Sequence, residues 1–309
     1  MNKNIIRIRV PATSANLGAG FDTLGMALSL YNIVTIKRLL PPGEFVSEVT
    51  GEGVRELTDV KSNLIIKSYL EACSAWNVTE PSGFEMHSNN TIPLCRGLGS
   101  SASAVVCGVL MARELYREQA PERELLRIMT KIEGHPDNVA PCFLGGMTVG
   151  CWDGNDLRYV RLPPLPSDMY VVVAVPDVRV STSDARKSLP DMVNFGDAVF
   201  NLGRSALMAA AWATGQWDML SWGMDDRLHQ QYRMKLFPGG EVIMDRVREI
   251  PGCLGIAISG SGPSVLALSR GRPRKLAEEM CRTFSEHGIE SLFFVLEGNA
   301  RGAKVEVIL

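Results

Sequence analysis

Apolar and polar residues alternate at the start of the chain. Residues 5–10, IIRIRV, predict a strand, and residues 32–37, NIVTIK, predict a second. Shorter strand signals follow at 45–49 and 84–87. The apolar spacing then becomes helical. Ser62-Asn63 precedes such a stretch, so a capped helix is expected over 64–75. Residues 101–117 put Val105, Val106, Val109 and Leu110 on one helical face, and Pro121 opens a further helix that runs to about Glu133. Residues 147–152 and 157–162 predict a hairpin around Asp153-Gly154-Asn155.

The run LPPLPSD, three prolines in seven residues, marks the expected boundary between a domain over 1–165 and another over 166–309. Beyond it the pattern predicts a buried strand at 170–175, a long helix at 192–214 and more helix to about Ile250. Strands at 254–258 and 264–268, a helix at 274–287 and strands at 292–296 and 304–308 complete the chain. Strand–helix–strand–strand–helix–strand is the ferredoxin-like split unit, with the extra helices and last strand as additions.

Composition narrows the classes. The 309 residues are 46% apolar and 21% charged, as in an ordinary globular protein of one large or two medium domains. Thirty-four acids against thirty-two bases leave a net charge of −2, which lacks the footprint of a general nucleic-acid binder. The start, MNKNIIRIRV, has no apolar leader core, and no apolar run approaches the ~18 residues of a membrane span. Seven scattered cysteines without a CxxC pair predict a cytoplasmic protein, and the four histidines are too far apart in sequence for a local zinc site.

Three glycine-rich stretches carry candidate chemistry. Pro93-Leu94-Cys95-Arg96-Gly97-Leu98-Gly99-Ser100-Ser101-Ala102 runs into an apolar helix. Gly97 and Gly99 would let backbone amides approach an anion, with a helix N-terminus behind them and two serine hydroxyls beside. A glycine turn with a serine cap reads equally well from this stretch alone. No Gly-Lys-Ser/Thr is present, so it is not a Walker loop. The dinucleotide fingerprint GxGxxA is matched loosely, but SNNTIPLCR is a poor buried strand and Glu122 and Glu124 fall inside a predicted helix. The second stretch, PATSANLGAGFD over 11–22, offers Asn16 and Asp22 for an ammonium or hydroxyl, or is an ordinary turn. The third, 255–264, reads either as a flexible hairpin or as a turn reaching across to a site.

Together, in this order and spacing, the three stretches resemble the GHMP kinases, which include galactokinases, homoserine kinases and mevalonate kinases. The resemblance covers essentially the whole chain. Finer features resemble the homoserine kinase branch: VPATSANLGAGFDTLGMAL, the run Glu133-Gly134-His135-Pro136-Asp137-Asn138-Val139-Ala140-Pro141 continuing into FLGG, Ser183-Asp184-Ala185-Arg186 before Leu189-Pro190, and Asp226 through Arg233. The resemblance implies an α+β fold. Its N-terminal α+β domain resembles domain 2 of ribosomal protein S5, its C-terminal domain is ferredoxin-like, and the site lies between them. It implies transfer of phosphate from ATP, with Mg²⁺, to the hydroxyl of L-homoserine within threonine biosynthesis; the oligomeric state is left open, with a homodimer as the candidate.

By the same resemblance, Asn63, Pro93, Arg96, Gly97, Leu98, Gly99, Ser100, Ser101 and Ala102 hold the nucleotide. Glu133 and Ser101, or Ser100 in its place, hold the metal, and Ser101, Glu133 and Asn138 are the catalytic positions. Asn16, Asp22, His135, Asn138, Thr182, Arg186, Arg233 and Gly260 meet the substrate, with the arginines on its carboxylate. Two departures stand out. Many family members have more residues between the Glu-Gly and the His than this chain has between Glu133 and His135. Where mevalonate and galactose kinases carry an aspartate able to act as base, this chain has Asn138, and Asp137 is expected to point away on an extended loop. Phosphoryl transfer passes through a loose transition state, so no dedicated base is expected. The alternatives are a GHMP kinase for a mevalonate-like substrate and an inactive ligand-binding relative.

Overall fold

The expected strand at 5–10 is the outer part of a longer one. The computed structural model describes residues 5–297 and 301–308; residues 1–4, part of the stretch read for a leader, lie outside it. Strand β1 (Ile5–Ala15) alternates only as far as Val10, after which every residue is buried. Strand β2 (Leu24–Leu40) likewise begins with a run of buried residues well before Asn32. Strands covered on both faces lose their alternation, which is why these inner halves were invisible to periodicity.

The first unit continues with β3 (Phe45–Gly51), α1 (Val54–Leu57), α2 (Leu64–Ala75), β4 (Gly83–Asn90), α3 (Ser100–Tyr116), α4 (Glu122–Glu133), α5 (Pro136–Leu144), β5 (Met147–Trp152) and β6 (Leu157–Arg161). The second contains β7 (Met169–Pro176), α6 (Thr182–Lys187), α7 (Phe195–Thr214), α8 (Leu220–Gly223), α9 (Gln230–Arg233), α10 (Gly240–Arg248), β8 (Cys253–Ile258), β9 (Val265–Arg270), α11 (Pro273–Glu286) and β10 (Ser291–Glu297). Strand β11 (Lys304–Ile308) follows.

The first sheet runs β11-β1-β2-β4-β3, with β5 on the inner end of β2 and β6 on β5. One face is covered by helices: Ile8, Val34 and Met86 pack with Tyr69, Val106, Leu110 and Met129. The second sheet runs β10-β7-β9-β8, all antiparallel, which is the ferredoxin-like order expected. A further core joins the units: Leu24, Met26 and Leu28 of β2 pack with Val171, Val173 and Leu266 of the second sheet and with Trp212 of α7.

Several further elements differ from expectation. Strand β11 pairs with β1, Ile5 opposite Ile308, so 301–308 sits with the first sheet although the expected boundary assigned it to 166–309. Pairing there covers the free edge of β1. The long helix starts at Phe195, because the Asn194 side chain accepts from the Gly196 amide at 2.8 Å and caps it. Helix α3 starts one residue early, with Gly99 rather than a serine at its cap. Helix α5 was not expected: Pro136 at its first turn is a start signal, but Pro141 inside it disguised the helix.

Trp212 tests the shared core. It is 1% exposed, and its indole donates to the Pro163 carbonyl of the linker at 2.8 Å. Trp212→Ala should cost about 3–5 kcal/mol of stability in urea denaturation followed by circular dichroism. A loss under about 1 kcal/mol would mean this core does not hold the units together.

Candidate active site

The glycine-rich loop owes its shape to what packs behind it. Gly97 and Gly99 have φ of 72° and 69°, the left-handed region. A Cβ on Gly97 would lie 2.1 Å from the Ser259 carbonyl oxygen, and one on Gly99 would lie 1.9 Å from Thr13 Oγ1. The sequence reading assigned these glycines to the approach of an anion. In the structure a side chain would first collide with the protein itself. Helix α3 begins directly after Gly99. The amides of Ser100, Ser101 and Ala102 precede its first intrahelical bond, Ser103 N to Gly99 O, and carry the positive end of the dipole.

The second unit closes on this loop through short contacts. The Ser259 hydroxyl is hydrogen-bonded to the Gly97 carbonyl at 2.7 Å and to Ser14 Oγ at 2.8 Å. Gly260 N donates to Ala15 O at 3.1 Å, and Asn16 Nδ2 donates to Gly260 O at 2.8 Å. The turn at 255–264 therefore does reach across to the site. Asn16 also accepts from the Asp22 amide at 3.0 Å, so both ends of its amide fasten loops.

Ser101 and Glu133 meet at the start of α3, with Ser101 Oγ donating to Glu133 Oε2 at 2.9 Å. The close spacing of Glu133 and His135 therefore does not keep Glu133 from the loop. Burial raises the Glu133 pKa, with a smaller contribution from Asp137, against the pull of His135 and the Ser101 bond. A desolvated carboxylate beside a hydroxyl is a hard-oxygen pair that suits Mg²⁺.

Beyond Glu133 lies a mixed cluster of charges. One ligand atom each of Asp22, His135 and Asp137 falls within 4.8 Å of the others. His135 Nδ1 bonds Asp137 Oδ1. Burial lowers the His135 pKa, but the bond and charge of Asp137, with Glu133 and Asp22, outweigh it and push it up to about 9. The ring is cationic at neutral pH. Arg186 reaches both Asp22 oxygens, at 2.7 and 2.9 Å, and this bond raises its pKa. Arg233 is 3% exposed and donates to Gly260 O at 2.9 Å, while its Nε has no partner. Burial, then the charge of Arg186, lowers its pKa to about 10.

Asn138 sits between this cluster and the loop. Its Oδ1 accepts from Thr13 Oγ1 at 2.7 Å, and its Nδ2 donates to Asp137 Oδ1 at 3.3 Å. Asp137 does not lie on an extended loop or point away. It occupies the first turn of α5, is 2% exposed, and lines the cleft beside Asn138.

One cleft brings together Asn16, Asp22, Asn63, Pro93, Arg96, Gly97, Leu98, Gly99, Ser100, Ser101, Glu133, His135, Asn138, Thr182, Arg186, Arg233 and Gly260. Ala102 is the exception: its side chain is wholly buried in the helix-covered core, so only its amide is available. Asn63 spends its side chain locally, capping α2 and donating to Leu57 O at 2.8 Å. Arg96 is held by Asp177 at 2.8 Å. Sequence reasoning missed Asp137, Thr13 and the far wall of the cleft, Asn32, Ser88, Asn90 and Cys107. Thr13 and Asp137 stood inside the motifs already singled out. The far wall carries no motif: Asn32, Ser88 and Asn90 face the cleft through strand register, and Cys107 through the period of α3.

Residues 63–146 match the family model described as GHMP kinases N terminal domain, and 207–286 match GHMP kinases C terminal. The chain is 39% identical over 299 residues to homoserine kinase of Carboxydothermus hydrogenoformans, covering 97% of this chain and 96% of that one. The chain belongs to the GHMP kinase family. Homoserine kinase of Natranaerobius thermophilus is also 39% identical, over 310 residues and 98% of each chain. Among solved structures, homoserine kinase from Cytophaga hutchinsonii has a TM-score of 0.86 at 30% identity, covering 98% of each chain. Lactococcus lactis galactokinase, at 15% identity and a TM-score of 0.73, shares the fold.

In this GHMP kinase fold, Thr13 ties the loop to Asn138. Its amide donates to Leu98 O at 3.0 Å in the loop, and its hydroxyl fixes which way the Asn138 amide faces. Thr13→Val keeps the shape and removes that donor. The turnover number for ADP release should fall about tenfold, the worth of one hydrogen bond, with little change in the KM for ATP. Thr13→Ser should restore most of the rate. Equal losses in the two variants would show that bulk, not the hydroxyl, matters.

Proposed function

We propose that the protein transfers the γ-phosphoryl group of ATP to the hydroxyl of L-homoserine, giving ADP and O-phospho-L-homoserine for threonine biosynthesis. The observation that carries this reading is the meeting, in one cleft, of the α3 N-terminus with a cluster of two arginines and two buried or half-buried aspartates. Near-full-length likeness to homoserine kinases supports it. An α-amino acid offers one carboxylate and one ammonium, and the cluster offers donors and acceptors for both. The orphaned Arg233 Nε is a ready donor for the carboxylate, with Arg186 beside it. Asp22 and Asp137 are the acids able to take the ammonium. We place the reaction in the cytoplasm: all seven cysteines are free, as in a reducing compartment, and among the described residues no helix is long and apolar enough to cross a membrane. We further infer that the protein works as a homodimer.

The residues divide the work. Amides from Gly97 to Ala102 and the α3 dipole receive the phosphates. Ser101 and Glu133 would hold Mg²⁺, which when bound neutralises charge on the phosphate oxygens. The side chain of Asn138 aligns the substrate hydroxyl through an amide of no useful basicity. Rate then comes from alignment and charge stabilisation. An ADP-release assay with homoserine against other hydroxylated substrates tests the whole reading, and preference for a substrate without the ammonium would overturn it.

Glu133→Gln keeps the shape of the side chain and removes its charge. The Mg²⁺ concentration for half-maximal activity should rise at least about tenfold. An unchanged Mg²⁺ titration would assign the metal to another acid. For Arg233→Met, the homoserine KM should rise about 10–150-fold, the worth of a charged hydrogen bond, with ATP affected far less. Homoserine esterified at its carboxylate should be a poor substrate for the parent and lose little further in the variant. Equal losses for acid and ester would remove Arg233 from carboxylate recognition.

A further inference from the structure

His229 is a buried titratable ring that no step above uses. It is wholly buried at the start of α9 and does not line the cleft. Its Nε2 lies 2.8 Å from the Gly18 carbonyl oxygen. A carbonyl can only accept, so Nε2 carries the proton and donates. Nδ1 has no partner. Burial, with help from the charge of Arg233, lowers the His229 pKa against the pull of Asp226, the Gly18 carbonyl and Asp22, and the ring is neutral. An apolar side chain would fill this place without orphaning a nitrogen. What the imidazole adds is a donor aimed at Gly18.

Gly18 belongs to a loop that needs such a hold. Asn16, Leu17 and Gly18 have φ of 70°, 48° and 82°, and Asp22 has 54°. Left-handed backbone at residues other than glycine persists only where the surroundings hold it. Gly18 also presses on the second unit, since a Cβ there would lie 2.1 Å from the Met224 carbonyl oxygen. The His229 ring packs on Phe21, the next side chain to Asp22, with centres 5.1 Å apart. Arg233 and Arg186 lie over the same Phe21 ring, 5.1 and 5.5 Å from its centre. We propose that His229 positions the acceptor end of the site: by holding the Gly18 carbonyl and backing Phe21, it sets Asn16 and Asp22 at the distance from Arg233 that the amino-acid substrate spans. This rests on the homoserine reading above. It assigns the order of the 16–22 loop to a group of the second unit that acts only through that loop.

The test is ADP-release kinetics on full-length variants, with circular dichroism to confirm the fold. His229→Leu fills the space and removes the donor. Its homoserine KM should rise about tenfold, the worth of one hydrogen bond, with the ATP KM changed less than about twofold. His229→Gln carries an amide donor to about the reach of Nε2 and should recover most of the loss. His229→Asn, whose amide stops near the position of Nδ1, should not. An unchanged homoserine KM in the Leu variant overturns the proposal. So does an equal rise in both KM values, which would make the ring a mere part of the core, and so does Asn that rescues as well as Gln. Should the Leu variant not fold, the Gln and Asn pair carries the same comparison. Nitrogen-15 NMR of the histidine rings in the parent, with His229 identified by its loss in His229→Gln, should show a proton on Nε2 alone at pH 7. A proton on Nδ1 would overturn the assignment directly. No ADP release by the parent with homoserine would sink the substrate reading itself, whereas a working parent with an indifferent Leu variant sinks only the role of His229.

Discussion

The geometry of the site depends on one close contact, between the phosphate loop and the first strand. Gly99 lies against the Thr13 hydroxyl with no room for a single carbon. That hydroxyl in turn holds Asn138, and the Thr13 amide holds Leu98. The donor side of the reaction, loop and α3, is thereby set against the acceptor side, α5, by a residue that is itself wholly buried. Glycine is required here twice over, by its positive φ and by the missing Cβ. Gly97 repeats the arrangement against Ser259 of the second unit. The cleft is a gap that both units leave around the loop, and the loop cannot relax without moving both.

The acceptor end follows from burying many charges close together. A lone buried charge is costly, and paired ones are tolerated. Asp22 is answered by Arg186, and Asp137 by cationic His135. Arg233 is the exception: its charge is held by a carbonyl and by the face of the Phe21 ring, whose centre lies 5.1 Å from the guanidinium carbon. The cluster therefore keeps a cation incompletely answered and carboxylates able to accept further donors. A zwitterion satisfies both without changing the net charge of the site, whereas a simple carboxylate or amine would leave one side unanswered.

The elements with a clear period, α2, α4, the hairpin of β5 and β6 and the split unit of the second sheet, were legible in the sequence. So were the glycine stretches, and with them about half of the residues that line the cleft, because these stand in compact motifs. The inner halves of β1 and β2 were not, since residues buried on both faces do not alternate. The return of β11 to β1 was not, since edge pairing over about 300 positions leaves no local mark. Asp137 was misjudged for a simpler reason. Its orientation depended on whether HPDN begins a helix, and the residue was read on an extended loop instead. The contact that requires glycine at 99 was not legible because Thr13 lies far away in sequence, and only the fold reveals what a Cβ would strike.

The placement of Arg233 shows how distant buried groups reach the cleft. Asn201, on the buried side of α7, donates to Asp226 Oδ1 at 2.7 Å and accepts from the Arg227 amide at 2.8 Å. Asp226 then accepts from the amides of Leu228, His229 and Gln230 at 3.2, 2.8 and 2.7 Å. A carboxylate receiving these amides opens the four-residue helix α9, too short to be stable by itself. At its far end that helix carries Arg233. Gln230, on the same turn, accepts from the Ile258 amide at 2.8 Å and ties α9 to the strand that leads into Gly260, whose carbonyl receives Arg233. Three polar side chains, Asn201, Asp226 and Gln230, thus fix both the cation and its anchor. Helix α7 supplies this support from its buried face alone, which leaves its solvent face free of any duty to the site.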